Sequence, residues 1–275
     1  MTALAALEAL IFDVDGTLAD TERDGHRVAF NLAFSELGLG WDWTEEVYAA
    51  LLAVTGGKER IRFFLDRYRP DYPRDVDLQA FIADLHRRKT RHFVELLQRG
   101  AIPLRPGVER LLGEARAAGI RLAIATTTTP ENVSALLQYC AETPLGDWFE
   151  VIAAGDVVPA KKPAPDIYLL ALEELGLAPE QCLALEDSDN GVKACLGAGL
   201  RSLLVTVNGY TRDQDFSGVP LVVDHLGEPG RPCRALRGEL APAGLIDVPL
   251  LRRLHAQVLR QLSLIHISEP TRPTT

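Results

Sequence analysis

Four short stretches carry side chains with more chemistry than packing needs. They are Asp13-Val14-Asp15-Gly16-Thr17, Thr126 at the head of a threonine tract, Lys162 in Lys-Lys-Pro-Ala-Pro-Asp, and Glu186-Asp187. Brought together, they supply four carboxylates, one ammonium and one hydroxyl. Four acids in one small volume cannot all stay ionised without a cation. Carboxylate oxygens favour a hard ion, which makes Mg2+ the natural candidate. A carboxylate beside a metal and a lysine can attack an electrophile, while the cations neutralise charge on a phosphoryl group. A second carboxylate two residues on can protonate a leaving oxygen and later activate water.

Hydropathy indicates the elements that would bring these stretches together. Ala9-Leu10-Ile11-Phe12 is a short apolar run that ends abruptly in turn residues, the mark of a buried strand feeding a loop. The pattern recurs at 120–125, running into the threonines, at 182–185 before Glu186, and at 201–205. Helical spacing separates these runs over 108–118, 166–175 and 190–198, each closed by a glycine. Short strands alternating with such helices predict an α/β fold, a Rossmann-like parallel sheet covered on both faces. In open sheets of this kind ligands sit at the carboxyl ends of the strands, where all four stretches fall.

Residues 23–99 break the rhythm and read as consecutive helices near 26–37, 44–53, 58–68 and 78–98. They hold 13 basic against 12 acidic residues, whereas the whole chain has net charge −9. The expected organisation is therefore a core of 1–22 and 100–262 with an inserted helical domain at 23–99. The final stretch Ser263–Thr275 is expected neither to continue the 250–262 helix nor to start another element. It resembles translated adaptor sequence and is left out of the functional reading.

The composition, 47% apolar and 24% charged over 275 residues, is that of a globular chain with a sizeable core. The acidic balance argues against a nucleic-acid or anionic-membrane surface. No run approaches the roughly 18 apolar residues of a membrane span, and the apolar start is interrupted by Glu8 with no basic region before it. Cys140, Cys182, Cys195 and Cys233 show no metal spacing and read as reduced, cytoplasmic thiols.

In their order, Asp13–Thr17, Thr126, Lys162-Pro163 and Glu186-Asp187-Ser188 resemble the four motifs of the haloacid dehalogenase superfamily, and the insert resembles its α-helical cap. Thr55–Ile61, with Ala153–Asp156 ahead of Lys161-Lys162-Pro163, resembles the CbbY-type phosphatases, which remove the 1-phosphate of xylulose 1,5-bisphosphate, an inhibitor of Rubisco. The resemblance implies Asp13 as nucleophile and Asp15 as general acid and base, which also offers its backbone carbonyl to Mg2+. It implies Thr126, the Thr127 amide and Lys162 as phosphate contacts, Asp187 as a metal ligand and Glu186 as its assistant. From the cap it implies Glu22, His26, the Gly56-Gly57-Lys58-Glu59-Arg60 loop and Lys89 as contacts to the sugar and its distal phosphate. His26 stands one residue later after the first motif than in some relatives. The implied partner is a small phosphorylated sugar, and a monomer is expected.

Each residue also has an ordinary reading. Acidic pairs and lone lysines usually face solvent, Thr126–Thr129 could merely open a helix, and Gly56-Gly57 could be a turn between helices. Lys89 lies in a charge run, His26 could be a packing histidine, and Trp41 and Trp43 suit a cap core. DxDGT is harder to dismiss, since chance yields it on the order of a few times per thousand chains of this length. Basic residues at the start of the 58–68 helix oppose its dipole unless an anion binds there. Two rival activities share the motifs: a sugar-phosphate mutase of the β-phosphoglucomutase type, and a non-catalytic phosphate-binding regulator.

Overall fold

The computed structural model describes residues 4–73 and 77–268. Seven strands, β1 (Ala9–Phe12), β2 (Arg121–Thr126), β3 (Val151–Ala154), β4 (Cys182–Glu186), β5 (Leu203–Thr206), β6 (Leu221–Val223) and β7 (Ala235–Arg237), form one sheet of order β3-β2-β1-β4-β5-β6-β7. All pairings are parallel except β6 with β7. Strands with alternating side chains bury both faces. Leu10, Phe12, Leu122, Ile124, Leu183 and Leu185 point to one face, under α5 (Val108–Ala117), α6 (Pro130–Tyr139) and α9 (Val248–Ser268). Ala9, Ile11, Ala123, Ala125, Cys182 and Ala184 point to the other, under α7 (Asp166–Leu175) and α8 (Asp189–Gly197).

Between β1 and α5 lie a π-helical turn at Glu22–His26 and four helices, α1 (Arg27–Glu36), α2 (Glu45–Leu51), α3 (Gly57–Tyr68) and α4 (Leu78–Gln98). These have an aromatic core of their own, in which Phe30, Phe34, Trp43, Tyr48 and Phe64 are buried and Trp41 packs against them. The far end of α4 joins the sheet instead, since Phe93 and Leu97 belong to the apolar cluster of Leu10 and Phe12. Among the described residues no helix is long and apolar enough to cross a membrane.

The structure departs from the sequence reading in three places. Strands β3, β6 and β7 and helix α6 were not anticipated. β3 and β7 are sheet edges, with Ile152 42% and Leu236 51% exposed, so neither shows the buried run of a central strand. Helical spacing over 166–175 places Ile167, Leu170, Ala171 and Glu174 on one face, whereas the buried face of α7 is Ile167, Tyr168, Ala171, Leu172 and Leu175, with Leu170 only partly buried and Glu174 exposed. Helix α9 does not stop at Leu262. It continues to Ser268, with Ser263 Oγ bonding back to the Leu259 carbonyl at 3.0 Å, because no proline or glycine intervenes before Pro270. Residues 269–275 of that tail lie outside the described residues.

Candidate active site

The chain winds outward from β1 to β2 and β3 on one side and to β4 and β5 on the other, so the strand order reverses between β1 and β4. That reversal opens a crevice at the carboxyl ends of the two strands. Phe12 pairs with Leu185, which brings the next residues, Asp13 and Glu186, level with one another. Lys162, from the loop before α7, lies across them, its Nζ 2.7 Å from Asp13 Oδ1 and 2.6 Å from Glu186 Oε1. Asp187 closes the group and accepts a bond from Asn208 Nδ2 at 2.7 Å. One carboxylate oxygen from each of Asp13, Glu186 and Asp187 lies within 4.8 Å of the others, and all three residues are buried. Gly16 (φ +83°) makes this approach possible, because a Cβ there would lie 2.6 Å from Asn208 Nδ2 and collide with the Asp187 carboxylate.

Burial raises the Asp13 carboxyl to about 7, and Glu186 and Asp15 add to this against the lowering effect of Lys162. Burial also lifts Asp187 well above its ordinary value, with Asp13 and Glu186 acting in the same direction. Lys162 is held protonated, the two acids outweighing its burial. Three buried acids with one ammonium thus fall short of positive charge. An all-oxygen donor set of this size fits a hard divalent cation, which Asp13, Glu186 and Asp187 together could hold.

The fourth acid of the sequence reading does not join this group. The Asp15 carboxylate turns toward the helical insert, where Oδ1 accepts bonds from Thr21 Oγ1 at 2.6 Å and faces His26 Nε2 at 2.8 Å. Burial disfavours its ionised form, yet His26 and Thr21 outweigh that and hold the carboxyl below its ordinary range. Behind His26, Lys89 Nζ stands 2.8 Å from Nδ1. An ammonium can only donate, so Nδ1 accepts and Nε2 carries the proton toward Asp15. Lys89 and His26 are therefore buried, neither in solvent nor free to pack elsewhere. Burial lowers the Lys89 ammonium to about 8, against the pull of Asp15 and Glu22.

Glu22 accepts a bond from Tyr48 Oη, which in turn accepts from Arg60 Nη1 at 2.7 Å. Lys58 is half exposed and pairs with Asp156 across the cleft at 3.1 Å, and Lys161 bridges Asp156 and Glu59. Gly56 and Gly57 open α3 and line the cleft with Thr127. Thr126 is buried at the end of β2, its Oγ1 accepting from the Thr128 amide at 3.2 Å. All the residues singled out in the sequence thus border one cleft or support its walls.

Sequence reasoning missed four supporting residues. Tyr168 donates to Glu186 Oε1 at 2.5 Å, and its position two residues into α7 behind Lys162 was the available signal. Asn208 follows a strand end, as Asp13 does, but an isolated asparagine after β5 carries no pattern. Tyr48 lies inside the 44–53 helical stretch and carries no local signal of its own. Arg105 is buried and donates to the carbonyls of Gly16, Thr206, Val207 and Asp224, tying the first motif's loop to the ends of β5 and β6.

Comparison with known proteins agrees with this geometry. A family model for haloacid dehalogenase-like hydrolases matches residues 7–199. Protein CbbY of Cereibacter sphaeroides is 52% identical over 224 residues, 82% of this chain and 94% of that protein. The crystal structure of CbbY from Rhodobacter sphaeroides in complex with phosphate superposes with a TM-score of 0.74 at 51% identity, covering 82% of this chain and 96% of that one. A variant of the same protein, solved in complex with xylulose 1,5-bisphosphate, gives a TM-score of 0.74 at 50% identity with the same coverage.

Proposed function

Because the chain belongs to the haloacid dehalogenase-like hydrolases, among the CbbY-type phosphatases, we propose that it hydrolyses xylulose 1,5-bisphosphate to xylulose 5-phosphate and inorganic phosphate with Mg2+ as cofactor. Its role would be to remove an inhibitor of Rubisco. The observation that carries the reading is Lys162 lying between Asp13 and Glu186 beside Asp187, all buried at the strand-order reversal. The substrate is inferred from the relative of half identity whose variant was crystallised with that bisphosphate.

When bound by Asp13, Asp187 and the Asp15 carbonyl, Mg2+ would neutralise charge on the phosphoryl group and keep the acids ionised. Asp13 attacks phosphorus in line with the sugar oxygen, forming the Asp13–phosphorus bond as the sugar–phosphorus bond breaks. Lys162 orients Asp13 and carries part of the phosphoryl charge, with Thr126 and the Thr127 amide on the other oxygens. Asp15, ionised in the resting enzyme, takes up a proton from solvent on leaving Thr21 and His26 and then gives it to the departing sugar oxygen. It then takes one from the water that attacks the aspartyl-phosphate, which frees phosphate and restores Asp13. The His26–Asp15 contact at 2.8 Å belongs to the resting enzyme, and substrate must release the carboxyl from it for proton transfer. Residues 23–99 act as the cap, hinged near 20–22 and 99–106, and their closure excludes bulk water.

The test is phosphate release from xylulose 1,5-bisphosphate, ribulose 1,5-bisphosphate and β-glucose 1-phosphate, each with Mg2+ and with EDTA. Stoichiometric, Mg2+-dependent release from the first supports the proposal. Isomerised sugar phosphate without free phosphate would instead identify a mutase.

A further inference from the structure

At the mouth of the cleft the cap and the core meet through four charges that the mechanism above does not use. Lys58 and Glu59 stand in the first turn of α3 on the cap, and Asp156 and Lys161 bracket the core stretch that leads from β3 to Lys162. Lys58 Nζ lies 3.1 Å from Asp156 Oδ2, while Lys161 Nζ lies 2.8 Å from Asp156 Oδ1 and 2.9 Å from Glu59 Oε1. The signs alternate along this row. Its outer two bonds cross from cap to core, and its middle bond ties the two ends of the core stretch together. Lys161 holds the Asp156 carboxyl down to about 2, so it stays ionised. Gly56 (φ +97°) leaves room for the row, since a Cβ there would lie 2.8 Å from Lys161 Nζ and collide with the Glu59 carboxylate.

The core half of the row adjoins the reacting groups through the chain itself. Lys161 and Lys162 are consecutive, yet one ammonium reaches the cap and the other lies between Asp13 and Glu186. The segment on which the cap rests is thus the segment that carries Lys162. Lys58, Glu59 and Asp156 are about half exposed, and each pair of this kind biases an equilibrium by only about twofold to fivefold. Contacts that weak do little for stability, but they suit a seam that must break in every turnover. The far end of α4 is different, because Phe93 and Leu97 are buried with Leu10 and Phe12 and stay joined to the sheet.

We propose that Asp156 and Lys161 are positioning residues, the core half of an ionic latch whose cap half is Lys58 and Glu59, and that this latch brings the cap to rest on the segment carrying Lys162. The proposal rests on the phosphatase reading and adds what holds its cap shut. Substrate binding and the latch then favour the same closed state, and losing the latch is felt as weaker apparent binding.

The test exchanges charges without changing their sum. Asp156→Lys with Lys161→Glu makes both crossing contacts repulsive, and adding Lys58→Glu with Glu59→Lys makes both attractive again. Each protein is measured by small-angle scattering with Mg2+ and no substrate, and by phosphate release from xylulose 1,5-bisphosphate. The core exchange should enlarge the radius of gyration and raise KM about fivefold or more with little change in kcat, and the fourfold exchange should restore the native radius. The native radius should also grow as NaCl rises from about 0.05 M to about 0.5 M, whereas that of the core exchange should not. An unchanged radius in the core exchange, or a fourfold exchange that stays expanded, overturns the proposal. So does a fall in kcat at unaltered KM and radius, which would place the pair in the chemistry of Lys162. Failure of the native enzyme to release phosphate would count against the catalytic reading, while the scattering, which needs no substrate, would still decide the latch.

Discussion

Removing the divalent cation should destabilise the fold by an amount that grows with pH. In the metal-free protein the Asp13 carboxyl stands at about 7 against 3.8 for an ordinary one. As pH rises, the unfolded chain releases this proton near its ordinary value and the folded chain keeps it until about 7. Stability therefore falls by about 1.4 kcal/mol for each pH unit in that window, about 4 kcal/mol in all. Asp187 acts in the same direction. His86, lowered to about 3, works the other way across much of the same range, since the unfolded chain takes up a proton that the folded ring refuses. Asp15 and Lys89 exert their effects outside the window, at lower and higher pH. The His86 contribution is common to metal-free and metal-loaded protein, so the difference between the two isolates the acid cluster. Mg2+ must displace the retained protons, and its stabilisation should increase by about 1.4 kcal/mol per pH unit for each proton displaced. Thermal melts with and without Mg2+ should show a shift about 5–10 °C larger near pH 7 than near pH 5. Asp187→Asn should remove most of it. A shift independent of pH, or one that grows toward acid, would refute the view that these carboxylates bind the ion.

Two substitutions probe the supports. Tyr168→Phe removes the hydroxyl on Glu186 but leaves Lys162 on the same oxygen. Urea unfolding should show a loss of about 1.5 kcal/mol, the low end for a bond to a charged group, while kcat changes less than tenfold. A thousandfold fall in kcat with unaltered stability would instead place the hydroxyl in the chemistry. Arg105→Met leaves the carbonyls of Gly16, Thr206, Val207 and Asp224 without this donor, and unfolding should show a loss of about 3–5 kcal/mol. Arg105→Lys, which cannot span four carbonyls, should recover only part of it, and full recovery would show that charge alone matters there.

What could be read from the sequence followed burial. Ala9–Phe12 and Cys182–Leu185 are central strands buried on both faces, so their apolar runs were unmistakable, and the acids that follow them had to share a strand end. Edge strands β3 and β7 lack that constraint and left no comparable trace. Asp15 shows a different limit. Spacing alone grouped it with the other acids, but the carboxylate direction is set by Thr21 and His26, which stabilise its charge better than a crowded acid cluster can. Tyr168, Asn208 and Arg105 were missed because each serves through a contact distant in sequence, with no local pattern to announce it. The α9 helix continues through Ser263 because local helix-forming residues suffice there, whatever the origin of the segment.

The most direct measurement of the central claim is turnover of xylulose 1,5-bisphosphate by the intact protein and by Asp13→Asn, with Mg2+, alongside circular dichroism of both. The expected result is release of one phosphate per substrate by the intact enzyme and no detectable release by the variant, with matching spectra. Undiminished release from Asp13→Asn would contradict the aspartyl-phosphate route, and turnover of other sugar phosphates but not this one would contradict the assigned substrate.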